Sequence, residues 1–428
     1  MSKKDSLNYV FENEILSYIS YVEDFTNKCY EEFDSKSNEI NLLSKINDLF
    51  SGKKVNRSEN LAAWHTKIRD EFSELSGDPK YIELFDSAVN IVTIGIGGSF
   101  EGPKLLIETL GNTKKNHVFI TGSDCEEFKE KTKKLDPNKT IFIVSSKSFT
   151  TIETITTLKN AINWSGDMNN FLAITANKFE ALKYNIKNII EFDNEIGGRY
   201  SIWSDISIVA HWENNTQYKE RFIMGGKKAD HDLNQDFSYL KFVKTLAYSD
   251  IWLNNYKNKS SRAVLSYIWK FRSLPNYVQQ LEMESLGKKP SKKSGFKKTG
   301  QIIFGGYGPT AQHSYFQLLH QGTQDICADI IASKEDLQSL AYAQALTQAE
   351  ILSNGTEETL KKQEEINGNI PLNLFLLNKI DAYTLGYLIA TWEHRTYITA
   401  SMLGINPFDQ FGVSAGKIYT KKYLADRD

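Results

Sequence analysis

The chain has 428 residues, of which 40% are hydrophobic and 24% are charged, so it is long enough for two folded domains of ordinary composition. Its formal net charge is -2, and the basic residues are spread along the chain, which argues against a nucleic-acid-binding surface. The three cysteines have no Cys-x-x-Cys spacing, so neither a disulfide framework nor a zinc ribbon is predicted. The amino terminus lacks an apolar core and no long apolar run occurs. We therefore expect a cytoplasmic protein without a membrane span.

The first part of the chain, residues 1–80, is charged and has apolar residues at helical spacing, such as Leu42, Ile46 and Leu49. No strand-like run stands out in it. We predict a helical amino-terminal segment that packs on the outside of the protein.

In residues 81–225, short β-branched runs alternate with helical stretches. Buried parallel strands give continuous apolar runs because both faces of their sheet are covered. The pattern predicts an α/β domain with a parallel sheet. The runs begin at Ile91, Val118, Thr140, Phe171 and Ile189.

In residues 226–400, helical segments surround a strand-to-helix unit at residues 301–304 and an apolar run at residues 326–332. This pattern predicts a second α/β domain. Residues 372–403 are rich in Leu, Ala and Tyr and contain no proline, which predicts one or two helices. A carboxyl-terminal segment, residues 401–428, follows.

The lysine-rich segment at residues 288–298 is most simply a solvated loop, and only secondarily an attractor of anions.

A glycine-rich turn, G-I-G-G-S-F-E-G-P at residues 95–103, follows the first predicted strand. Such a turn lets backbone N–H groups approach an anion, and the start of the next helix adds positive potential. Phe100 stands where a dinucleotide fingerprint has its third glycine, and no Gly-Lys-Ser/Thr follows for a nucleoside triphosphate. The turn suits a phosphate group, and a tight turn without a ligand is the alternative.

A hydroxyl-rich loop, S-S-K-S-F-T-T at residues 145–151, follows another predicted strand. The carboxyl ends of parallel strands form one edge of a sheet, so this loop and the glycine-rich turn can meet at one ligand. Hydroxyls, backbone N–H groups and one ammonium suit a phosphate dianion. A Ser/Thr-rich helix cap is the alternative.

Three charged residues are candidates for acid–base chemistry. Arg199 follows two glycines after the fifth predicted strand, a placement that lets a guanidinium reach over a pocket, although a surface arginine is the alternative. Glu282 and Glu284 lie two residues apart near the end of a predicted helix and point in different directions, so only one is expected to face a site. That carboxylate suits a general base, or simply a solvated helix end.

His313 and His320 lie two turns apart on a predicted helix, whereas metal-binding pairs are typically about three or four residues apart, so no metal site is predicted. One of the two rings suits titration near neutral pH. Lys417 stands between a glycine and an apolar residue, a setting for an ammonium in a pocket or on the surface.

Taken together, these segments resemble the glucose-6-phosphate isomerase family, also called phosphoglucose isomerase. The resemblance rests on G-I-G-G-S, S-K-S-F-T-T-I-E-T, G-G-R-Y-S, M-E-S-L-G-K, Q-H-S-Y-F-Q-L-L-H-Q-G and F-D-Q-F-G-V-S-A-G-K, which occur in the family's order between residues 91 and 417.

The resemblance implies two sugar isomerase (SIS-type) domains, each a five-stranded parallel sheet flanked by helices, with peripheral helices at both ends of the chain. It implies reversible aldose–ketose isomerisation of glucose 6-phosphate and fructose 6-phosphate, in glycolysis and gluconeogenesis, by ring opening and a cis-enediolate. It also implies that no metal or organic cofactor takes part, and that a homodimer shares its active sites between subunits.

At matching positions, the resemblance implies that Glu284 is the general base and that Arg199 stabilises the enediolate. It pairs Lys417 with His320 for ring opening, with His320 acting in the neighbouring subunit's site. The other matching residues are expected to bind the sugar phosphate: Gly98, Ser99, Ser146, Lys147, Ser148, Thr151, Gln280 and Gln410.

The sequence departs from the family's common motifs at a few positions. Residues 305–312 read G-G-Y-G-P-T-A-Q instead of G-E-P-G-T-N-G-Q, Leu286 replaces an asparagine, Ser148 replaces a threonine, and Ser414 and Ala415 replace Glu-Leu. Two alternatives therefore stay open. One is an isomerase of another hexose phosphate, such as mannose 6-phosphate, and the other is a non-catalytic sugar-phosphate sensor.

Overall fold

The computed structural model describes residues 9–71, 79–213, 217–356 and 361–426. It confirms the α/β class, with two sheets that carry parallel strands and have helices around them. None of the helices in these ranges combines the length and the apolar character needed to cross a membrane. Parts of the predicted helical segment 1–80, namely residues 1–8 and 72–78, lie outside the described residues, and the predicted domain boundaries stay a prediction.

The described chain begins with a β-hairpin, so the prediction of helices throughout residues 1–80 is wrong for its first part. Strands β1 (Val10–Glu12) and β2 (Leu16–Ser20) are antiparallel. β1 has only three residues, and β2 reads L-S-Y-I-S, so neither shows the strict alternation of apolar and polar residues that reveals a strand in a sequence. Helices follow, as predicted: α1 (Asn27–Glu39), α2 (Leu42–Phe50), α3 (His65–Asp70) and α4 (Pro79–Ser87).

The first sheet contains the five parallel strands that the sequence predicted, in the order β4-β3-β5-β6-β7. Ile94 of β3 pairs with Val144 of β5, so the loops after these two strands leave the sheet side by side. The strands are β3 (Asn90–Ile94), β4 (Asn116–Ile120), β5 (Thr140–Ser145), β6 (Phe171–Thr175) and β7 (Asn188–Glu191). The helices between them are α5 (Glu101–Leu110), α6 (Cys125–Thr132), α7 (Ile152–Ser165) and α8 (Lys178–Leu182).

The second sheet has six strands instead of the five that the resemblance implied. Its order is β1-β2-β11-β10-β8-β9, and β2 pairs antiparallel with β11 through Ser20 and Asn373. The amino-terminal hairpin therefore extends the sheet of the second domain. The parallel strands are β8 (Ser261–Ser266), β9 (Ile302–Tyr307), β10 (Ile326–Ser333) and β11 (Leu372–Leu377).

Nine α-helices of the described chain follow the first sheet. They are α9 (Ile208–Glu213), α10 (Gln217–Gln235), α11 (Phe237–Tyr256), α12 (Leu274–Leu286), α13 (Gly308–Gln312), α14 (Phe316–Gln321), α15 (Leu340–Asn354), α16 (Ala382–Leu403) and α17 (Ser414–Ala425).

Residues 372–403 form a strand and one long helix, so the prediction of helices is wrong for β11. All six residues of β11 are buried. A short apolar run of this kind looks the same in a sequence whether it becomes a buried strand or a buried helix. Helix α16 is buried along almost its whole length, with α10 and α11 packed against it.

Charged side chains buried between α11, α12, α16 and the second sheet form an ionic network. Arg395 donates hydrogen bonds to Asp250 (2.7 Å) and Asp329 (2.8 Å), and Arg262 pairs with Asp250 and Glu282. A buried charge without a partner is costly, so these pairs are needed wherever the charges are buried. The network holds α12 in a defined position against the sheet.

Candidate active site

Two loops meet at the carboxyl edge of the first sheet, as the sequence predicted. After β3, the glycine-rich turn forms a short 3-10 helix, Gly97–Ser99, in which Gly97 has a φ of 61°. A Cβ atom on Gly98 would lie 1.9 Å from the carbonyl oxygen of Gly198. Only glycine fits at this position, because the turn touches the backbone that leads to Arg199.

The hydroxyl-rich loop after β5 folds around the buried side chain of Phe149, whose φ is 53°. The Ser146 hydroxyl oxygen accepts a hydrogen bond from the Phe149 N–H (3.2 Å) and lies 3.3 Å from the Thr151 hydroxyl oxygen. Thr151 precedes α7, and its side chain does not cap that helix. Since the amino end of a helix attracts anions, α7 adds positive potential beside these hydroxyls.

Lys147 supplies the ammonium of the same loop. Its Nζ donates a hydrogen bond to the carbonyl oxygen of Ile196 (3.0 Å), which holds the side chain in place. Burial lowers the pKa of Lys147, and the carboxylates of Glu59, Glu195 and Asp193 partly oppose that effect. The loop therefore brings one anchored cation to the predicted phosphate site.

Arg199 is buried, and all three of its guanidinium nitrogens donate hydrogen bonds. Nε donates to the Ser285 hydroxyl (2.7 Å), and Nη1 donates to the side-chain oxygens of Gln410 (2.8 Å) and Glu284 (3.3 Å). Nη2 donates to two backbone carbonyls within residues 407–409. Five acceptors fix the orientation of this guanidinium, whose planar array of N–H donors can serve them together, unlike the ammonium of a lysine.

The carboxylate of Glu284 faces the same space. Its Oε2 accepts hydrogen bonds from Gln280 Nε2 (3.2 Å), one turn earlier on α12, and from Arg199 Nη1 (3.3 Å). The Glu284 side chain is 31% exposed. The carboxylate is thus held by two donors and is still accessible to a ligand.

Glu282 points the other way, into the ionic network. Its Oε1 accepts a hydrogen bond from the Trp392 indole (3.0 Å), and its Oε2 pairs with Arg262. Burial raises the pKa of Glu282, and Arg262 opposes that rise. Of the two acids on α12, only Glu284 reaches the candidate site.

These side chains surround one cavity of about 630 Å³. Its wall combines residues of the first sheet's loops, of α12 and of the carboxyl-terminal segment. The predicted site residues that line it are Gly98, Ser99, Ser146, Lys147, Ser148, Thr151, Arg199, Gln280, Glu284, Gln410 and Lys417.

His320 is not among the residues that line this cavity. It lies on α14, where its Nε2 is hydrogen-bonded to the side-chain oxygen of Gln348 (2.8 Å) and its ring packs edge-on against Phe316. The structure therefore does not bring His320 to the other predicted catalytic residues of its own chain.

Lys417 reaches the cavity from α17, a helix in which no residue is buried. Ile418 and Tyr419, on the same helix, are 65% and 71% exposed. Apolar side chains on α17 are therefore left uncovered by the rest of the described chain.

Within the described ranges, no group of three or more His, Cys, Asp or Glu side chains is arranged to hold a metal ion. The polar groups of the cavity are hydroxyls, amides, two ammonium groups, a guanidinium and carboxylates, which are donors and acceptors for a phosphorylated polar molecule.

A family comparison identifies the relatives of this chain. The sequence profile described as phosphoglucose isomerase matches residues 73–427. The chain belongs to the phosphoglucose isomerase family. A glucose-6-phosphate isomerase from Legionella pneumophila (strain Lens) is 32% identical over 421 residues, which cover 89% of this chain and 83% of that protein. One from Buchnera aphidicola subsp. Schizaphis graminum (strain Sg) is 32% identical over 477 residues, with 95% and 85% covered.

A solved structure from the phosphoglucose isomerase family has the same fold. The crystal structure of a glucose-6-phosphate isomerase from Chlamydia trachomatis D/UW-3/Cx matches with a TM-score of 0.88 at 23% identity, and the match covers 100% of this chain and 91% of that one.

The departures from the common phosphoglucose isomerase motifs lie mostly away from the cavity. Ser148, which replaces a threonine, keeps a hydroxyl in the lining. Leu286 is buried at the end of α12. Among the described residues that line the cavity, neither Leu286, nor residues 305–312, nor Ser414 and Ala415 occur.

Sequence reasoning missed two residues beside the site of this phosphoglucose isomerase family member. Ser285 accepts the Nε–H of Arg199, and Lys288 donates to the Ser285 carbonyl oxygen (2.8 Å). Lys288 was predicted to lie in a solvated loop, and instead its side chain is only 19% exposed. Ser285 and Lys288 both belong to the motif M-E-S-L-G-K, which was the available signal, whereas the adjacent lysines that begin at Lys288 indicated a surface.

Proposed function

We propose that this chain catalyses the reversible isomerisation of glucose 6-phosphate and fructose 6-phosphate in the cavity lined by Glu284. The observation that carries the proposal is the hydrogen-bonded pair of Glu284 and Arg199 beside a hydroxyl-rich loop in one cavity. The chain is an isomerase by its family, and its relatives of known name are glucose-6-phosphate isomerases. Its reaction belongs to glycolysis and gluconeogenesis, and we propose a cytoplasmic location.

The phosphate group binds at the hydroxyl-rich loop. Hydroxyl donors from Ser146, Ser148 and Thr151, the ammonium of Lys147 and the start of α7 all favour a dianion. The glycine-rich turn supplies Gly98 and Ser99 beside them. These residues together, which we call the phosphate grip, provide binding energy at a distance from the reacting carbons.

Glu284 acts as the general base on the open-chain sugar. Its carboxylate takes the proton from C2, and the electron pair of the broken C–H bond forms the C1–C2 double bond while the oxygen on C1 becomes negative. A proton then passes from the C2 hydroxyl to that oxygen, and Glu284 returns the carbon-bound proton to C1, which gives the ketose. The fixed guanidinium of Arg199 stabilises the negative oxygen as it develops.

Gln280 and Gln410 orient these two groups, since their amides bind the Glu284 carboxylate and the Arg199 guanidinium respectively. The same amides contact hydroxyls of the sugar.

Ring opening uses Lys417 and the His320 of a second copy of the chain in a homodimer. Two observations support this arrangement: His320 lies outside the cavity of its own chain, and α17 leaves apolar side chains uncovered. An apolar surface that carries a site residue is typical of a subunit interface.

Neither alternative reading has an observation in its favour. A different hexose phosphate was suggested by the altered residues 305–312, which are absent from the described cavity lining. A sensor needs the phosphate grip only, and has no use for the paired Glu284 and Arg199.

The proposal is tested by the rate at which purified wild type and Glu284→Gln convert glucose 6-phosphate to fructose 6-phosphate, with EDTA present throughout. We expect the wild type to turn over and the variant to lose about two to four orders of magnitude in kcat. A wild type that binds the sugar phosphate without converting it would contradict the proposal, and faster turnover of mannose 6-phosphate would contradict the substrate assignment.

A further inference from the structure

Lys288 lies just beyond the carboxyl end of α12, the helix that carries Glu284. Its Nζ donates hydrogen bonds to the backbone carbonyl oxygens of Glu284 (3.2 Å) and Ser285 (2.8 Å). The last four carbonyls of a helix lack partners within it, and the end of the helix dipole favours a cation there. The ammonium therefore satisfies the last turn of the helix at the residue that bears the base.

The same ammonium reaches a second element. Lys288 Nζ lies 3.6 Å from Asp409 Oδ1, and the two side chains are 19% and 12% exposed. The other oxygen of Asp409, Oδ2, accepts hydrogen bonds from the Ser58 hydroxyl (2.6 Å) and the Asn406 amide (2.8 Å), so the carboxylate is held in place. The backbone carbonyl of Asp409 accepts a hydrogen bond from Arg199 Nη2 (3.1 Å).

We propose that Lys288 is a positioning residue for the isomerisation: its ammonium joins the end of α12 to residues 406–410 and so fixes the Glu284 carboxylate relative to the Arg199 guanidinium. The inference rests on the proposed roles of Glu284 and Arg199. Lys288 itself lies outside the cavity lining and does not act on the sugar. Small displacements of a base or of an oxyanion-stabilising group reduce rates strongly, so this connection affects kcat more than substrate binding.

The charge on Lys288 depends on pH. The charged groups that face it are Arg199, Asp409 and Glu284. Burial, followed by the Arg199 guanidinium, lowers the pKa of Lys288 to about 8, and the two carboxylates partly oppose this effect. The ammonium is therefore present below that pH and is lost as the pH rises through it, which removes the ion pair with Asp409.

The test compares kcat and KM for fructose 6-phosphate in the full-length wild type, Lys288→Met, Lys288→Arg and Lys289→Met, from pH 6 to pH 9.5. For Lys288→Met we expect kcat to fall roughly 10- to 100-fold at pH 7 while KM changes less than about threefold. Lys288→Arg keeps its charge at every pH, so it should keep most of the activity at pH 7 and lose the part of the alkaline decline due to Lys288. Lys289 is exposed, so we expect the control Lys289→Met to match wild type at every pH.

Asp409→Asn extends the test. If the two side chains act through one contact, the kcat losses of Lys288→Met and Asp409→Asn should not multiply in the double variant. Circular dichroism and urea unfolding establish that each variant is folded. Should Lys288→Met not fold, the pH profile of Lys288→Arg decides the question.

Two results would overturn the proposal: a folded Lys288→Met with kcat within twofold of wild type, or a Lys288→Arg profile that superimposes on the wild-type profile. Glu284→Gln, assayed in parallel, separates this failure from failure of the proposed function. An active Glu284→Gln would reject the base assignment, whereas an inactive Glu284→Gln beside a normal Lys288→Met would reject only the role of Lys288.

Discussion

Glu282 and Glu284 lie two residues apart on α12 and have opposite surroundings. Glu282 is 4% exposed and bonds to Trp392 and Arg262, whereas Glu284 faces the cavity with Gln280 and Arg199 as donors. One helix therefore carries an acid that stabilises the fold and an acid that is available for chemistry.

Replacing each acid by glutamine should separate these two effects. Glu282→Gln removes the negative charge that pairs with the buried Arg262. We therefore expect the free energy of unfolding to fall by about 1–3 kcal/mol, while kcat stays within about threefold of wild type. Glu284→Gln should leave the free energy of unfolding within about 0.5 kcal/mol and lower kcat roughly 10²- to 10⁴-fold. Urea unfolding and steady-state kinetics measure both quantities. The reverse pattern would contradict the assignment of the base.

Arg199→Lys keeps the positive charge and removes the planar donor array. The ammonium of a lysine has too few donors to bind Ser285, Gln410 and the two carbonyls within residues 407–409 together, so the cation is no longer fixed. We expect kcat to fall about 10²- to 10³-fold, with a smaller change in KM. A kcat within tenfold of wild type would show that charge alone is sufficient.

Gly98→Ala should displace the glycine-rich turn. The added Cβ would meet the Gly198 carbonyl oxygen at 1.9 Å, so either the turn or the loop before Arg199 has to move. We expect kcat/KM to fall at least about 100-fold because the phosphate grip and the guanidinium both lose their positions. Gly197→Ala is the matched control, because its Cβ would only touch the Tyr200 ring at 3.5 Å.

His211 makes stability depend on pH. Burial holds its pKa well below the usual range, and in the described structure neither ring nitrogen has a hydrogen-bond partner. Below about pH 6.5 the unfolded chain binds a proton here that the folded chain does not, so this residue lowers stability as the pH falls. His211→Leu should remove a slope that rises from about 0.7 kcal/mol per pH unit at pH 6.5 to about 1.4 kcal/mol per pH unit at pH 5.

Urea unfolding at pH 7.5, 6 and 5 measures that slope. At pH 7.5 the leucine variant should be at least as stable as wild type, since it removes two unpartnered buried nitrogens. Identical slopes for the two proteins would contradict a buried neutral imidazole.

Mixed subunits test the shared site. His320→Ala and Glu284→Gln are each expected to lose activity, but a heterodimer contains one cavity with both an intact His320 and an intact Glu284. Co-refolded mixtures should recover up to about a quarter of the wild-type activity, because half of the dimers are mixed and half of their cavities are intact. No recovery, with subunit exchange demonstrated by a size or charge tag, would argue against the arrangement.

Much of the fold was predictable because its signals are local. The five strands of the first sheet appear as apolar runs, and the two loops at the sheet's edge follow from the rule that ligands bind at the carboxyl ends of parallel strands. The strands β1, β2, β8 and β11 were not predicted, and β8 lies among segments that were predicted to be helical. β1 has only three residues and pairs with β2, β2 is defined by its pairing with the distant β11, and the apolar run of β11 also fits a buried helix.

The candidate site was predictable through its motifs, and not through its geometry. G-G-R-Y-S and M-E-S-L-G-K identify Arg199 and Glu284, yet the contacts that unite them come from Ser285, residues 407–409 and Gln410. Lys288 ends the same M-E-S-L-G-K motif, yet its contacts were not predictable, since its partners lie on a helix end and on a distant loop.

The pairing of Ser20 with Asn373 has a consequence for synthesis of the chain. The ribosome releases β1 and β2 before the first sheet and β11 after it, whereas the strands of the first sheet come from one continuous stretch. The first domain can therefore fold while translation continues. Strand β2 has to wait for β11 until residues 372–377 have been made, which makes closure of the second sheet later than closure of the first.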